Sequence, residues 1–189
     1  MRKLGSVELI QIQRSPLKTK RIGYDPAPLL AVEEAALGPN GMLGHSNGGW
    51  VIDANSELHP SGRGGGNRAL SIGFSSHYAL MSRRYGNMPL GEAGENLIVD
   101  TPDVVTIEDL AGTVVIETAE GPIELVSAAV AAPCREFASY LLGLPDVADR
   151  SELSAEFEFL EDGMRGFVFG LANLEEWKTV RPGDGVWIG

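Results

Sequence analysis

Apolar and polar residues alternate over residues 7–13, Val-Glu-Leu-Ile-Gln-Ile-Gln, and this period of about two predicts a half-buried strand. A second apolar run covers residues 29–36. Its propensities would suit a helix, but Pro26 and Pro28 precede it and Gly38-Pro39-Asn40-Gly41 follows at once. A run bounded so tightly reads as a strand. Residues 38–66, rich in Gly, Asn, Ser and His, show no period and predict a long loop. Such a length without regular structure is unusual inside a compact domain and points to a functional loop.

Beyond the loop, residues 69–74 predict a strand, and Ser75 or Ser76 can cap a helix running to about residue 84, ended by Gly86-Asn87-Met88-Pro89. Residues 97–99, 104–107, 113–118 and 123–132 are β-rich, with Glu120-Gly121-Pro122 as the turn between the last two. A helix over 134–142 follows, Pro133 standing where a first-turn proline is tolerated. Residues 152–160 form a weaker helical pattern, and 166–172 and 185–188 close the chain as strands. Many short strands with few helices predict a mainly β fold with a few helices, a barrel or closed sheet. With no repeat and no linker, residues 1–189 read as a single domain.

Composition narrows the classes. The chain has 189 residues, is 43% hydrophobic, and carries 15 basic and 26 acidic residues for a net charge of −11. That charge argues against broad binding to nucleic acid or anionic membranes, which needs a basic surface. No stretch approaches the roughly 20 apolar residues that span a bilayer. The N-terminus lacks the apolar core of a signal peptide, so a cytoplasmic setting is expected. Basic residues are uneven: Arg14, Lys18, Lys20 and Arg21 cluster early, Arg63, Arg68, Arg83 and Arg84 in the middle. The two groups read either as solvated surfaces or as a local cationic pocket for an anionic small ligand.

Cys134 is the only cysteine, so no internal disulfide can form and a reducing compartment is favoured. It is either a buried small hydrophobe or a thiol kept for its chemistry. Its expected place, where a β run meets a helix start, would lower a thiol's pKa, and Arg135 would add to that. His45, His59 and His77 share no metal-ligand spacing, which argues against a structural zinc site. His77 reads as a surface or packed residue of the helix, while His45 and His59 fall in the long loop. Gly62-Arg63-Gly64-Gly65-Gly66-Asn67-Arg68 is a basic turn before a strand. It could approach an anion, though it lacks the ending of a phosphate-binding P-loop. Gly94 is expected to supply a special backbone angle, with Glu95 and Asn96 bonding neighbouring loops.

Taken in order, Gly94-Glu95-Asn96-Leu97, Pro133-Cys134, Met164-Arg165-Gly166-Phe167 and Pro182-Gly183-Asp184 resemble the MOSC domain family, named for the C-terminal region of molybdenum cofactor sulfurases. The resemblance implies a MOSC-like β-barrel and an association with molybdenum cofactor or with delivery of activated sulfur to metal-sulfur centres. It makes Cys134 the sulfur carrier or the molybdenum ligand. Lys18, Arg63, Arg68 and Arg165, chosen by charge and loop position, are the expected contacts to an anionic pterin phosphate, and Asn96 joins them as a cofactor-binding residue. Implied partners are a sulfur donor such as a cysteine desulfurase and an acceptor metalloenzyme; pyridoxal phosphate binding is not expected here. Two other readings are a molybdenum-dependent reductase of N-oxygenated compounds and a binding module with Cys134 merely packed. The chain departs from the family pattern in having Gly44-His45 where members often carry Gly-Asp, and Arg63-Gly64-Gly65-Gly66 where many have His-Gly-Gly.

Overall fold

The computed structural model describes residues 1–19, 23–61, 68–171 and 174–189. Its first strand, β1 (Arg2–Gln13), is long enough to serve three partners in turn. Residues 2–6 pair antiparallel with the last strand, β14 (Gly185–Ile188), residues 6–10 with β9 (Leu97–Asp100), and residues 11–13 with β4 (Leu29–Ala31). Register shifts at Lys3/Gly5 and Val7/Leu9 bend β1 between these partners, the usual work of β-bulges.

The remaining barrel strands are β8 (Leu70–Phe74), β10 (Val114–Thr118), β11 (Gly121–Val130) and β12 (Phe167–Leu171). In the order β14-β10-β11-β12-β8-β9-β1, with β1 returning to β14, seven strands close on themselves. Only β8 and β9 run parallel, and the crossover between them is α1 (Ser75–Tyr85). Ile10, Leu70, Ile72, Leu97, Val99, Ile116, Phe167 and Phe169 fill the interior. Alternation places them there: each inward side chain is two residues from the next.

A smaller sheet follows from the segment expected to be one strand and a loop. The run at 29–36 divides into β4 and β5 (Glu34–Gly38), and the expected loop holds β6 (Gly41–Ser46) and β7 (Gly49–Ile52). Ser46-Asn47-Gly48-Gly49 makes the β6–β7 turn, with Asn47 and Gly48 both at positive φ. This suits the tightest hairpins. Its glycines and asparagines hid the strands from a period-based reading. β5 also pairs with β13 (Lys178–Val180), which showed no pattern of its own. Residues 104–107 are not a strand; they lead into a single 3-10 turn at Glu108–Leu110.

Outside the barrel, α1, α2 (Arg135–Leu141) and α3 (Ser154–Leu160) cover a second core of Tyr78, Met81, Ile98, Phe137, Leu153 and Leu160. Neither candidate serine caps α1. Phe74 holds that position, while the Ser75 hydroxyl donates to Asp100 and to the Thr101 carbonyl. A two-strand ribbon, β2 (Lys18–Thr19) with β3 (Gly23–Tyr24), lies against α2 through the Tyr24 ring, 4.9 Å from that of Phe137. No helix is long and apolar enough to cross a membrane among the described residues.

Candidate functional site

One row across four strands gathers the residues that the sequence keeps far apart. Val130 of β11 pairs with Phe167 of β12, Phe167 with Ile72 of β8, and Ile72 with Leu97 of β9. Past that row lie the three segments flanking these strands: Ala131–Cys134 after β11, Arg165 before β12, and Gly94-Glu95-Asn96 before β9. A cleft of about 380 Å3 opens there, lined by Lys18, Tyr24, Arg68, Ser71, Glu95, Asn96, Ala131 and Arg165 among others. Its size is within the range of small-molecule sites, about 300–1,000 Å3.

Cys134 is the residue before the first turn of α2, with extended backbone (φ −135, ψ 152), and its side chain is half-buried. The helix therefore begins one residue later than the sequence suggests, and Pro133 stands outside it. Arg135 does not serve the sulfur: its guanidinium points outward to Asp149, 3.2 Å away. The cation at Cys134 is Arg165, whose Nη1 donates to Sγ at 3.5 Å and to the Ala132 carbonyl at 3.1 Å. Nη2 donates to the Ala93 carbonyl at 3.3 Å, and the guanidinium lies over the Phe137 ring at 4.5 Å. Arg165 is 8% exposed, and its Nε is buried without a partner among the described residues. Cys134 itself does not line the cleft; Arg165 links the two.

Glu95, 2% exposed, accepts a 2.5 Å bond at Oε2 from the Tyr78 hydroxyl, while Oε1 is buried without a partner among the described residues. Burial pushes its carboxyl up to about 7, against the opposing pull of Tyr78 and the Arg165 cation. Two glycines make room for this carboxyl. A Cβ on Gly73 would sit 2.6 Å from Oε1, and one on Gly166 (φ +76) would sit 3.0 Å from Glu95 Cγ. Burial likewise raises the Tyr24 phenol well above its usual range. The Tyr24 hydroxyl donates to the Glu92 carbonyl at 2.6 Å, and the Tyr140 hydroxyl bonds the Glu92 carboxylate.

Asn96 holds the floor of the cleft. Its Oδ1 accepts from the Ser71 amide at 3.1 Å and the Ser71 hydroxyl at 2.8 Å, and its Nδ2 donates to Asp53 at 3.0 Å. Asp53, fully buried, also accepts from the backbone N–H of Gln13 and of Asn55. Burial pushes the Asp53 carboxyl up, and these donors pull it back. The expected structural use of the Gly94-Glu95-Asn96 segment is thus met, with Gly94 at φ +98 as its turn.

Of the cationic residues picked out by charge, Lys18 and Arg68 are exposed at the cleft and Arg165 is inside it. Lys18 and Arg68 make no ion pair among the described residues. Arg63 lies outside the described residues. His45 is not at the cleft; its ring meets Trp50 across the β6–β7 pair at 5.1 Å. His59 contacts the Ser61 hydroxyl, and His77 is fully buried between Phe74 and Phe167. Glu95, read from the sequence as bonding neighbouring loops, and Tyr78, which the sequence did not single out, also stand at the site. Glu95 stands in the Gly94-Glu95-Asn96-Leu97 motif, but nothing in the sequence singles out its carboxyl.

The sequence profile of the MOSC domain matches residues 59–187. No curated protein matches the chain. Among solved structures, the YuaD protein from Bacillus subtilis superposes with a TM-score of 0.56 at 17% identity, over 96% of this chain and 93% of its own. A hypothetical protein gives 0.54 at 18% identity, over 100% of this chain and 68% of its own. YiiM from Escherichia coli gives 0.50 at 16% identity, over 100% and 70%. At these identities the likeness is one of fold.

Proposed function

Since the chain belongs to the MOSC domain family, we propose that Cys134 is its reacting sulfur, carrying sulfane sulfur as a persulfide or holding molybdenum cofactor in the adjoining cleft. The observation that carries this reading is the buried guanidinium of Arg165, 3.5 Å from Sγ and lining the cleft at once. A thiolate or persulfide anion formed at Cys134 would find its counter-charge already in place. In the carrier reaction the Cys134 thiolate attacks the terminal sulfur of a donor persulfide. The donor's S–S bond breaks, its thiolate leaves, and Cys134 keeps the extra sulfur, so no outside oxidant is needed. The donor would be a protein persulfide such as that of a cysteine desulfurase, and the acceptor a metalloenzyme.

The residues present fit an anionic, phosphate-bearing pterin. Among the described residues, Lys18 and Arg68 are exposed cations at the cleft with no carboxylate engaged, and the Arg165 Nε has no partner. Lys18 and Arg68 would hold the phosphate, while Asn96 keeps the floor rigid. When bound, the cofactor supplies a redox-active metal. Arg165 orients the sulfur, and the Phe137 ring lies under its guanidinium.

Cold cyanolysis of freshly purified protein should release thiocyanate, and Cys134→Ser should abolish the release. Metal analysis, with the fluorescence of oxidised pterin, reads the cofactor arm. Protein that yields neither sulfane sulfur nor molybdopterin overturns the reading and leaves Cys134 as a packed residue.

A further inference from the structure

Four hydrogen bonds run from a buried carboxylate to the sulfur of Cys134. The Tyr78 hydroxyl donates to Glu95 Oε2 at 2.5 Å. The Ala93 N–H donates to that same hydroxyl oxygen at 3.0 Å. On the other side of the same residue, the Ala93 carbonyl accepts from Arg165 Nη2 at 3.3 Å, and Nη1 reaches Sγ at 3.5 Å. Glu95 and Tyr78 are each 2% exposed, so neither has solvent as an alternative partner.

Glu95 touches neither Arg165 nor Cys134 through a hydrogen bond, so it acts through others. A carboxyl in this position is costly to bury, and an apolar side chain of the same volume would fill the space between Gly73 and Gly166 more cheaply. Its effect is to fix the turn before β9. With carbonyls on both Nη atoms, Ala132 on one and Ala93 on the other, the guanidinium is held in position and in rotation. With the Ala93 carbonyl displaced, it can swing about its remaining anchor and leave the sulfur.

We propose that Glu95 and Tyr78 are positioning residues for the chemistry at Cys134: they clamp the 91–96 turn so that the Ala93 carbonyl keeps Arg165 against the sulfur. This rests on Cys134 being the reacting sulfur but is independent of what it carries.

The test uses two reagents of one chemistry and different charge. Iodoacetate and iodoacetamide each alkylate Cys134 with loss of iodide, and an aligned Arg165 favours the anionic one. The iodoacetate-to-iodoacetamide rate ratio is expected to be at least fivefold higher in the wild type than in Arg165→Met. Tyr78→Phe and Glu95→Leu should bring it down to within twofold of Arg165→Met. Glu95→Gln, whose amide oxygen still accepts from Tyr78, should keep it within twofold of the wild type. Thermal melts check whether each variant is folded. A wild-type ratio equal to that of Arg165→Met overturns the inference, as does an unchanged ratio in folded Tyr78→Phe. Equal behaviour of Glu95→Gln and Glu95→Leu also overturns it, because charge and not the hydrogen bond would then be at work. If Tyr78→Phe does not fold, the Gln and Leu variants at position 95 decide alone. If the ratios follow the expected pattern in protein lacking both sulfane sulfur and cofactor, the proposed function fails while the positioning stands.

Discussion

Glu95 and His77 are buried titratable groups that ask opposite things of pH. Burial raises the Glu95 carboxyl from 4.5 to about 7, so the folded chain keeps a proton that the unfolded chain gives up. Its contribution is fully present below about pH 4.5 and is lost as pH rises through about 7, on the order of 3 kcal/mol in all. Glu95→Gln should therefore flatten the fall in urea midpoint between pH 5 and 8; a slope equal to that of the wild type would contradict this. His77 runs the other way. Burial lowers its imidazole from 6.5, so the native chain refuses a proton that the unfolded chain accepts. That contribution is present above about pH 6.5 and fades as pH falls below it. In a Glu95→Gln background, His77→Leu should reduce the loss of stability that sets in just below about pH 6.5, read from the same midpoints.

At the scale of elements, the site depends on strands that give up side chains at chosen places. Gly73 lies in the middle of β8, where a glycine weakens a strand, yet its missing Cβ is what admits the Glu95 carboxyl. Gly73→Ala should cost about 1–3 kcal/mol, the range for overpacking a core, and lower the melting temperature by several degrees. The same change in a Glu95→Ala background should cost measurably less, since the colliding carboxyl is gone; additive losses would show that the two do not compete for space. The Tyr78–Glu95 bond joins α1 to the segment before β9, so the crossover helix is locked to the strand it leads into.

For the whole molecule, closure depends on the two ends of the chain. Arg2 pairs with Ile188 and Ser6 with Gly185, and β14 lies between β1 and β10. Removing residues 185–189 would open the barrel along two edges and expose Ile116 and Leu4 from the core. Such a truncation should lose the cooperative thermal transition seen by circular dichroism; a sharp, wild-type-like melt would contradict the closure argument. Contacts between chain ends also close late. Refolding is expected on the millisecond-to-second scale usual for β-rich domains, measurable by stopped-flow fluorescence of Trp187 and the other tryptophans.

The alternation at 7–13, the bounded runs at 69–74, 113–118 and 185–188, and the Ser75-to-Arg84 helix were legible because each element carries its own period. The order of the four short motifs likewise sufficed for the family. What the sequence could not convey were β6, β7 and β13, where glycine, asparagine and threonine supply turns and edges without an apolar stripe. Nor could it convey which arginine serves the sulfur. Arg135 is Cys134's neighbour in sequence, yet Arg165 is its neighbour in space, because the Val130–Phe167 pairing returns the chain to the same end of the barrel. Local pattern specifies local structure, since propensity and side-chain period act over a few residues. The site is made by strand register, which acts across the barrel, and so only the closed fold could set Glu95, Tyr78, Arg165 and Cys134 in one line.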